Sequence, residues 1–562
     1  MTCPLPPGFR RAPSGIELHN PASDSWAPLC GPLEILARTR DGDGLSWGVH
    51  VALTDPDGRR HEKLIARHRL YSEPGAAVAE LVDAGLCLSP GRRAKEALAE
   101  LLLTVEPAAR LRITRRPGWT DDSRRAFTLG DGRALGAEQV RLQPDGPMQT
   151  AAAMTARGDL GDWRREVAAR CIGNPLLAAA VSFALSGPLL RPLGIEGGGL
   201  HLRGASSRGK STALRVAAGV WGDPGGLVAS WRSTANGLEA LATGANDTLL
   251  LLDEIAEIEA RDASKAAYMI ANGQGKARAR KSGGLRPAAT WRTNLLSSGE
   301  ISLAEKLREE RLRPAAGQEL RLLDIPADGF AHGAFDRLHD AADGAGFARA
   351  LGAACGSAHG TAGPALVEAL CADGAAMVEE ARRLMARAEA RLRGALGPEP
   401  DGQVLRALNR FALIAAAGEL ASALGLTGWP AGEAEDAALE LLLLWRDARG
   451  GEGATELAAA IGRVRDHLLR HPGRFEPLAT AGEVPWKTER DGWSNDEAAW
   501  FTDEAWTRIH APMAGEQAGR LLRDAGVLMQ VERDRLQQKL PRAVDGARPR
   551  CWRVRRAALE ES

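Results

Sequence analysis

None of the seven cysteines (Cys3, Cys30, Cys87, Cys171, Cys355, Cys371 and Cys551) falls in a C-x-x-C pair, and their number is odd. A disulfide framework and a zinc ribbon are both excluded, and a reducing cytoplasm is the expected setting. Net charge is also absent. Lys+Arg of 72 against Asp+Glu of 72 rules out a polycation that binds phosphate over its whole surface, so any nucleic-acid site has to be a local patch. No clean apolar run of membrane length occurs. The longest uncharged stretch, Cys171 to Leu190, is interrupted by Asn174, Pro175, Ser182, Ser186, Gly187 and Pro188, so a buried helix and no membrane contact are expected. Met1 to Pro6 leads into Arg10 and Arg11 without the apolar core of a signal peptide. No repeat of 20 to 50 residues appears, which sets solenoids and propellers aside. Lysine is scarce: nine in 562 residues, five of them (Lys210, Lys265, Lys276, Lys281, Lys306) between positions 210 and 306. Where arginine has replaced most lysines, the survivors mark places that need a compact ammonium.

A chain of 562 residues exceeds what one core organises, and three or four domains are expected. Residues 1–150 read as a mostly β domain: the run Leu45 to Thr54 ends at Asp55-Pro56-Asp57-Gly58, Leu111 to Arg116 ends at Pro117-Gly118, and one helix spans Gly75 to Ala84. Residues 159–328 alternate helix and strand, the pattern of a three-layer parallel α/β core. Residues 329–475 carry helical periodicity throughout and read as a lid-like helical domain. Residues 488–562 hold two short helices and two strands, the order found in a winged helix.

The chemistry concentrates in the α/β segment. Gly204-Ala205-Ser206-Ser207-Arg208-Gly209-Lys210-Ser211 satisfies G-x-x-x-x-G-K-[ST] between an expected strand and an expected helix that opens at Thr212. Glycines let backbone N–H groups turn onto phosphates, Lys210 offers a point charge to the β and γ phosphates, and the Ser211 hydroxyl reaches Mg²⁺. ATP and Mg²⁺ are thus the expected cofactors. Leu249 to Leu252 is a strand apolar on both faces that ends in Asp253 and Glu254, a Walker B pair: Asp253 for the metal, Glu254 as general base. An extra strand between the two motifs, with this Asp-Glu pair, marks the catalytic-glutamate class that contains the ring ATPases, an AAA+-like core. Ser297 and Ser298 close a fourth strand in the sensor-1 place. Arg311 and Arg313, at the end of the following helix, are candidates for a finger donated in trans, against the alternative of solvated surface arginines.

Residues 263–299 contain Lys265, Lys276, Arg278, Arg280, Lys281, Arg286 and Arg292 and no acidic residue. Lys276 to Arg280 alternates at strand period and Lys281-Ser282-Gly283-Gly284 is a turn, so a β-hairpin with a basic tip is expected, with Lys276, Arg278, Arg280, Lys281 and Arg286 as its DNA contacts. A solvated charged loop is the alternative. From Arg520 to Arg556 eleven basic residues face four acidic ones, which reads as a duplex reader or a protein-docking module.

Taken together, these residues resemble the helicase-like family known as domain of unknown function 927, found in phages, plasmids and integrative elements. The resemblance rests on Gly118-Trp119, Gly204 to Ser211, Leu251 to Glu254, Asn272-Gly273-Gln274-Gly275-Lys276, Ser298-Gly299-Glu300, Gly317 to Arg321, Arg410-Phe411, Gly428-Trp429-Pro430 and Arg449-Gly450-Gly451. It implies an ATPase similar to hexameric helicases of the minichromosome-maintenance kind, acting on single-stranded or forked DNA in replication or mobilisation of an element. Arg410 would be a sensor-2 residue by position. No primase or nuclease signature is present, so priming would need a separate chain. Two functions follow: a homo-hexameric helicase or translocase, or a nucleotide-switched initiator or loader that does not unwind.

Overall fold

The computed structural model describes residues 3–559 except 137–138, 145, 147, 149, 277, 280–284, 287, 311–319, 397–401, 449–453, 483–488, 512, 530–534 and 542–547. The chain divides into two compact units, Met1–Pro398 with Leu405–Leu444, and Glu399–Val404 with Trp445–Ser562.

The first unit opens with an antiparallel three-stranded sheet (Phe9–Ala12, Gly15–Asn20, Ser25–Cys30) and a five-stranded mixed sheet in the order Val140–Leu142, Arg110–Thr114, Leu33–Arg40, Gly48–Thr54, Arg60–Ala66. This region is less purely β than its sequence reads. Besides the expected helix (Pro74–Asp83) there is a longer one, Arg92–Thr104, whose Ala94, Ala97, Leu98, Leu101 and Leu102 are buried. Those positions follow the 3.6-residue period, and they bury against Leu33, Val49 and Ile65 of the sheets.

The centre of the unit is a five-stranded parallel sheet built from β1 (Gly199–Arg203), β2 (Val228–Ser230), β3 (Leu249–Asp253), β4 (Asn294–Gly299) and β5 (Leu322–Pro326). Their spatial order is β2-β3-β4-β1-β5, so β1, the first in the chain, lies next to the edge strand β5. The central strands β3 and β4 are short and buried along almost their whole length, as parallel strands are when helices form the crossovers, while the edge strand β2 is half-buried. The molecule is thus a mixed α/β protein. Pro175–Leu185, the expected buried helix, has every residue from Leu176 to Leu185 buried. Among the described residues no single helix is long and apolar enough to cross a membrane; one bent pair, Pro175–Leu185 with Gly187–Leu193, has the length and composition only.

After β5 come the helices Gly344–Ser357, Ala362–Ala372, Gly374–Ala395, Gly402–Ala423 and Glu433–Ala448. The next helix, Ala454–Arg470, belongs instead to the second unit: its Ala460, Ile461 and Val464 pack with Phe501, Trp506, Leu522 and Trp552. The break between units therefore falls earlier than residue 475. In this second unit the two short helices are present (Asp503–His510, Gly515–Asp524), but they accompany a five-stranded sheet rather than a lone hairpin. Arg550–Arg555 pairs with Ala498–Phe501 on one side and Gln538–Lys539 on the other, while Leu528 makes only an isolated bridge to Val554.

Candidate nucleotide site

The loop from Gly204 to Gly209 joins β1 to the helix Lys210–Gly219 at the C-terminal edge of the sheet. Ser207 (φ 60°) and Gly209 (φ 100°) are left-handed, which turns the chain back so that the helix N-terminus faces the loop. Gly209 has no room for a side chain: a Cβ there would lie 2.7 Å from Phe335 and 2.9 Å from Ala334. Ala334 N also donates to Arg208 O at 2.8 Å, so the segment after β5 braces the loop from behind. Ala205, Ser206, Ser207 and Arg208 are exposed on its outer side. Lys210 is buried, and its ammonium donates to Gly204 O (2.7 Å) and Ala205 O (2.8 Å). Thr212 is half-buried in the first turn of the helix.

Asp253 ends β3, separated from β1 by β4, and collects two hydroxyls. Ser211 Oγ donates to its Oδ2 at 3.1 Å and Ser298 Oγ donates to its Oδ1. A hydroxyl and a carboxylate of this kind are hard oxygen donors at the N-terminus of a helix, a donor set that fits Mg²⁺ carried by a phosphate ligand. Glu254 follows in the left-handed region (φ 61°, ψ 77°), an uncommon conformation outside glycine that is often found at functional sites. Its carboxylate is half-buried and has no hydrogen-bond partner among the described residues, so its lone pairs stay available. The next residue, Ile255, enters the core and fixes the turn.

Ser297 and Ser298 face opposite sides of β4, because successive strand residues alternate. Ser298 reaches Asp253. Ser297 is fully buried, accepts from Trp231 Nε1 at 2.8 Å and is hydrogen-bonded to His201 Nδ1 at 2.9 Å. His201 Nε2 bonds Ile301 O, which can only accept, so Nε2 carries the ring proton and Ser297 must donate to Nδ1. Burial pushes the His201 pKa down, which keeps the ring neutral. With its proton committed on the far face, Ser297 is corrected from sensor to packing residue.

Arg410 is the second correction. Its Nη1 donates to Gly199 O (3.2 Å), Leu320 O (3.1 Å) and Arg321 O (3.3 Å), at the start of β1 and just before β5. The loop that opens at Gly204 lies past the other end of β1, five residues on and about 16 Å away at strand rise. Burial lowers the Arg410 pKa to about 10. It caps the opposite end of the sheet and does not reach the nucleotide loop.

Arg311 and Arg313 lie outside the described residues, as do Arg280 and Lys281 of the expected hairpin. The base of that hairpin is present: Arg278–Ala279 pairs antiparallel with Leu285–Arg286, with Arg278 opposite Arg286. Lys276 is exposed at its entry.

Other contacts had only indirect sequence signals. Lys306, one of the scarce lysines, is buried and donates to Ala256 O at 2.9 Å, tying the helix Leu303–Glu309 to the turn after Glu254. At the other edge of the sheet, Trp119 N donates to Asp247 Oδ2 (3.0 Å), Trp119 Nε1 to Pro188 O (2.9 Å), and Asn246 Nδ2 to Pro117 O (2.8 Å). A Cβ on Gly118 (φ 102°) would lie 2.4 Å from Asp247 Oδ2, so the Gly118-Trp119 pair docks the N-terminal region onto the core. Burial raises the Asp247 pKa to about 6.

With this geometry the sequence matches over residues 9–290, half of the chain, the family model described as Domain of unknown function (DUF927). The chain belongs to the DUF927 family. Among solved structures this DUF927 protein is similar to SCCmec type IV Cch, described as an active helicase, with a TM-score of 0.67 and 18% sequence identity over 98% of this chain and 99% of that one. The two share a fold along their whole lengths. No curated protein sequence matches the chain.

Proposed function

We propose that this DUF927 protein is an ATP hydrolase that uses turnover to translocate on or unwind DNA as a homo-hexameric ring, in the replication or mobilisation of a mobile element. The observation that carries this is Asp253, which ends β3 beside the phosphate loop and holds the hydroxyls of both Ser211 and Ser298. Bound MgATP would supply the scissile phosphoanhydride. Lys210 and the loop N–H groups hold its phosphates, Ser211 and Asp253 hold the metal, Ser298 orients Asp253, and Glu254 takes the proton of the attacking water.

The strand order β2-β3-β4-β1-β5 supports an AAA+-like core, since it puts β4 between the phosphate loop's strand β1 and the Walker B strand β3. Two features support DNA as the substrate. The paired hairpin base, Arg278–Ala279 with Leu285–Arg286, lies in a stretch, residues 263–299, that carries seven basic residues and no acidic one. SCCmec type IV Cch, which shares the fold, is described as a helicase. Arg311 or Arg313 would complete the neighbouring subunit's site, and the basic tail from Arg520 to Arg556 would be a second, winged-helix-like DNA contact.

Strand displacement on a forked duplex with ATP tests the reading. The wild type should separate the strands. Lys210→Ala should lose binding of an ATP analogue, whereas Glu254→Gln should keep it while hydrolysis falls by on the order of 10². ATPase activity without displacement or translocation would leave a loader, and unchanged analogue binding by Lys210→Ala would remove the phosphate loop from the site.

A further inference from the structure

The helix Ala260–Asn272 leads from the turn after Glu254 into the basic hairpin, and it buries one face in the core through Ala263, Ala266, Ala267 and Ile270. Its other face carries Lys265, Tyr268 and Asn272, all exposed and spaced three and four residues apart, so they form one row. Tyr268 is one of only two tyrosines in the chain, and 44% of it is exposed. Single exposed aromatics are common and by themselves say nothing.

Here three more observations converge on the ring. A cavity of about 270 Å³ opens beside it, with Leu238, Ile258 and Met269 as an apolar floor and Lys265 and Lys276 at the rim. Neither lysine has an ion-pair partner among the described residues, and Asp262 is the one acidic residue lining the cavity. The Arg321 guanidinium lies over the Tyr268 ring at 4.3 Å from its centroid, which holds the ring in place and adds positive charge. From 263 to 299 there is no acidic residue at all. A flat aromatic, an apolar recess and a cationic rim match the two faces of a single-stranded nucleic acid, whose bases stack and whose phosphates are anionic.

We propose that this face is a nucleobase-stacking platform: an unpaired base of a DNA single strand packs against Tyr268 over the cavity, while Lys265 and Lys276 hold the flanking phosphates. The proposal rests on DNA being the substrate and goes further by naming where, and through which part of the nucleotide, the strand is gripped. Stacking is indifferent to base identity, so the platform adds affinity without sequence preference.

Stacking and phosphate contacts respond differently to salt, and the test uses this. A labelled oligothymidylate and the same oligonucleotide with abasic positions are titrated against the full chain over a salt series, with an ATP analogue and Mg²⁺ present. Tyr268→Ala should weaken oligothymidylate binding roughly five- to hundred-fold with an unchanged salt slope, while Tyr268→Phe binds like the wild type. The abasic strand should bind the wild type as weakly as oligothymidylate binds Tyr268→Ala, and should not distinguish the two proteins. Lys265→Ala with Lys276→Ala should instead lower the slope of log K by roughly 0.7 per contact. Equal oligothymidylate affinity of wild type and Tyr268→Ala overturns the platform while leaving DNA binding intact. So does an altered sedimentation coefficient of Tyr268→Ala at equal affinity, which would make the ring a contact between copies of the chain. A wild type that binds no single strand at any salt overturns the substrate itself, and the platform with it.

Discussion

The adjacent serines of β4 show how much one residue of strand register decides. Ser298→Ala removes a donor from Asp253 at the edge of the nucleotide loop, so ATP turnover should fall while folding changes little. Ser297→Ala leaves Trp231 Nε1–H and His201 Nδ1 without partners inside the core, and unpaired buried groups cost about 1–3 kcal/mol each. That variant should lose several degrees of thermal midpoint while the folded fraction hydrolyses ATP normally. Turnover per folded molecule, set beside melting curves, separates the two; a catalytic defect in Ser297→Ala without destabilisation would return it to the site. The strand-to-helix turn at Gly204 to Ser211 was legible because its glycines, lysine and serine stand at fixed spacing, and the structure places that turn between β1 and the helix Lys210–Gly219. Which serine faces the cleft was not, because a dipeptide at a strand end carries no sign of its phase. Lysine scarcity was informative in two cases: Lys210 and Lys306 are buried on backbone carbonyls, where a compact ammonium fits and a guanidinium fork does not.

Asp247 makes a second residue-scale prediction. Its carboxyl is 1% exposed, accepts from Trp119 N and Asn246 through Oδ2, and leaves Oδ1 without a partner. Burial raises its pKa from 3.8 to about 6, so the folded state binds the proton more tightly than the unfolded chain. The sign follows: this group's contribution is fully present below pH 4 and is lost as pH rises through 6, about 3 kcal/mol in all at 1.36 kcal/mol per pKa unit. The proton belongs on Oδ1, which leaves Oδ2 to hold Trp119. The difference in unfolding midpoint between wild type and Asp247→Asn should therefore grow as pH goes from 4 to 8, with wild type losing ground. A difference independent of pH would place the titration elsewhere.

At the scale of elements, the hairpin was read from alternation and a turn, and its paired base, Arg278–Ala279 with Leu285–Arg286, agrees with that reading. The helix Arg92–Thr104 was missed although its apolar spacing is helical, because the surrounding strands and turns dominated the reading. Helix Ala454–Arg470 was assigned to the wrong neighbours for a different reason: periodicity reveals an apolar face but not what covers it. Arg410 is the same case at a single position, since a helix's place in the chain does not say which end of the sheet it crosses. For the hairpin the decisive quantity is electrostatic. Replacing Arg280 and Lys281 by Ala should leave basal ATPase and stability within about 0.5 kcal/mol. Each lost phosphate contact should lower the salt slope of DNA binding by roughly 0.7 for a single strand or 0.9 for duplex. Equal slopes for wild type and double variant would mean that the hairpin tip does not touch the strand, leaving the basic tail as the remaining candidate among the charged patches.

At the scale of the whole molecule, the buried cation that the described residues place at the loop between β1 and its helix is Lys210, and the arginine expected near it, Arg410, is committed to the far end of the sheet. Charge that develops on the γ-phosphoryl group needs more than one cation, and an arginine supplied to a phosphoryl-transfer site is worth 10³–10⁵ in rate elsewhere. The proposed ring would resolve the shortage, because the helix Leu303–Glu309 is anchored to the turn after Glu254 by Lys306 and the sequence that follows it carries Arg311 and Arg313. An arginine presented there by one copy would serve its neighbour. Lys210→Ala subunits keep a working finger and lack a site, whereas Arg311→Ala or Arg313→Ala subunits keep a site and lack a finger. Mixed rings should therefore recover part of the ATPase lost by either variant alone, with recovery greatest near equal proportions. If mixed rings form, as judged by co-purification of differently tagged subunits, and activity never exceeds the sum of the separate variants, the site is complete within one chain and the second cation must come from it.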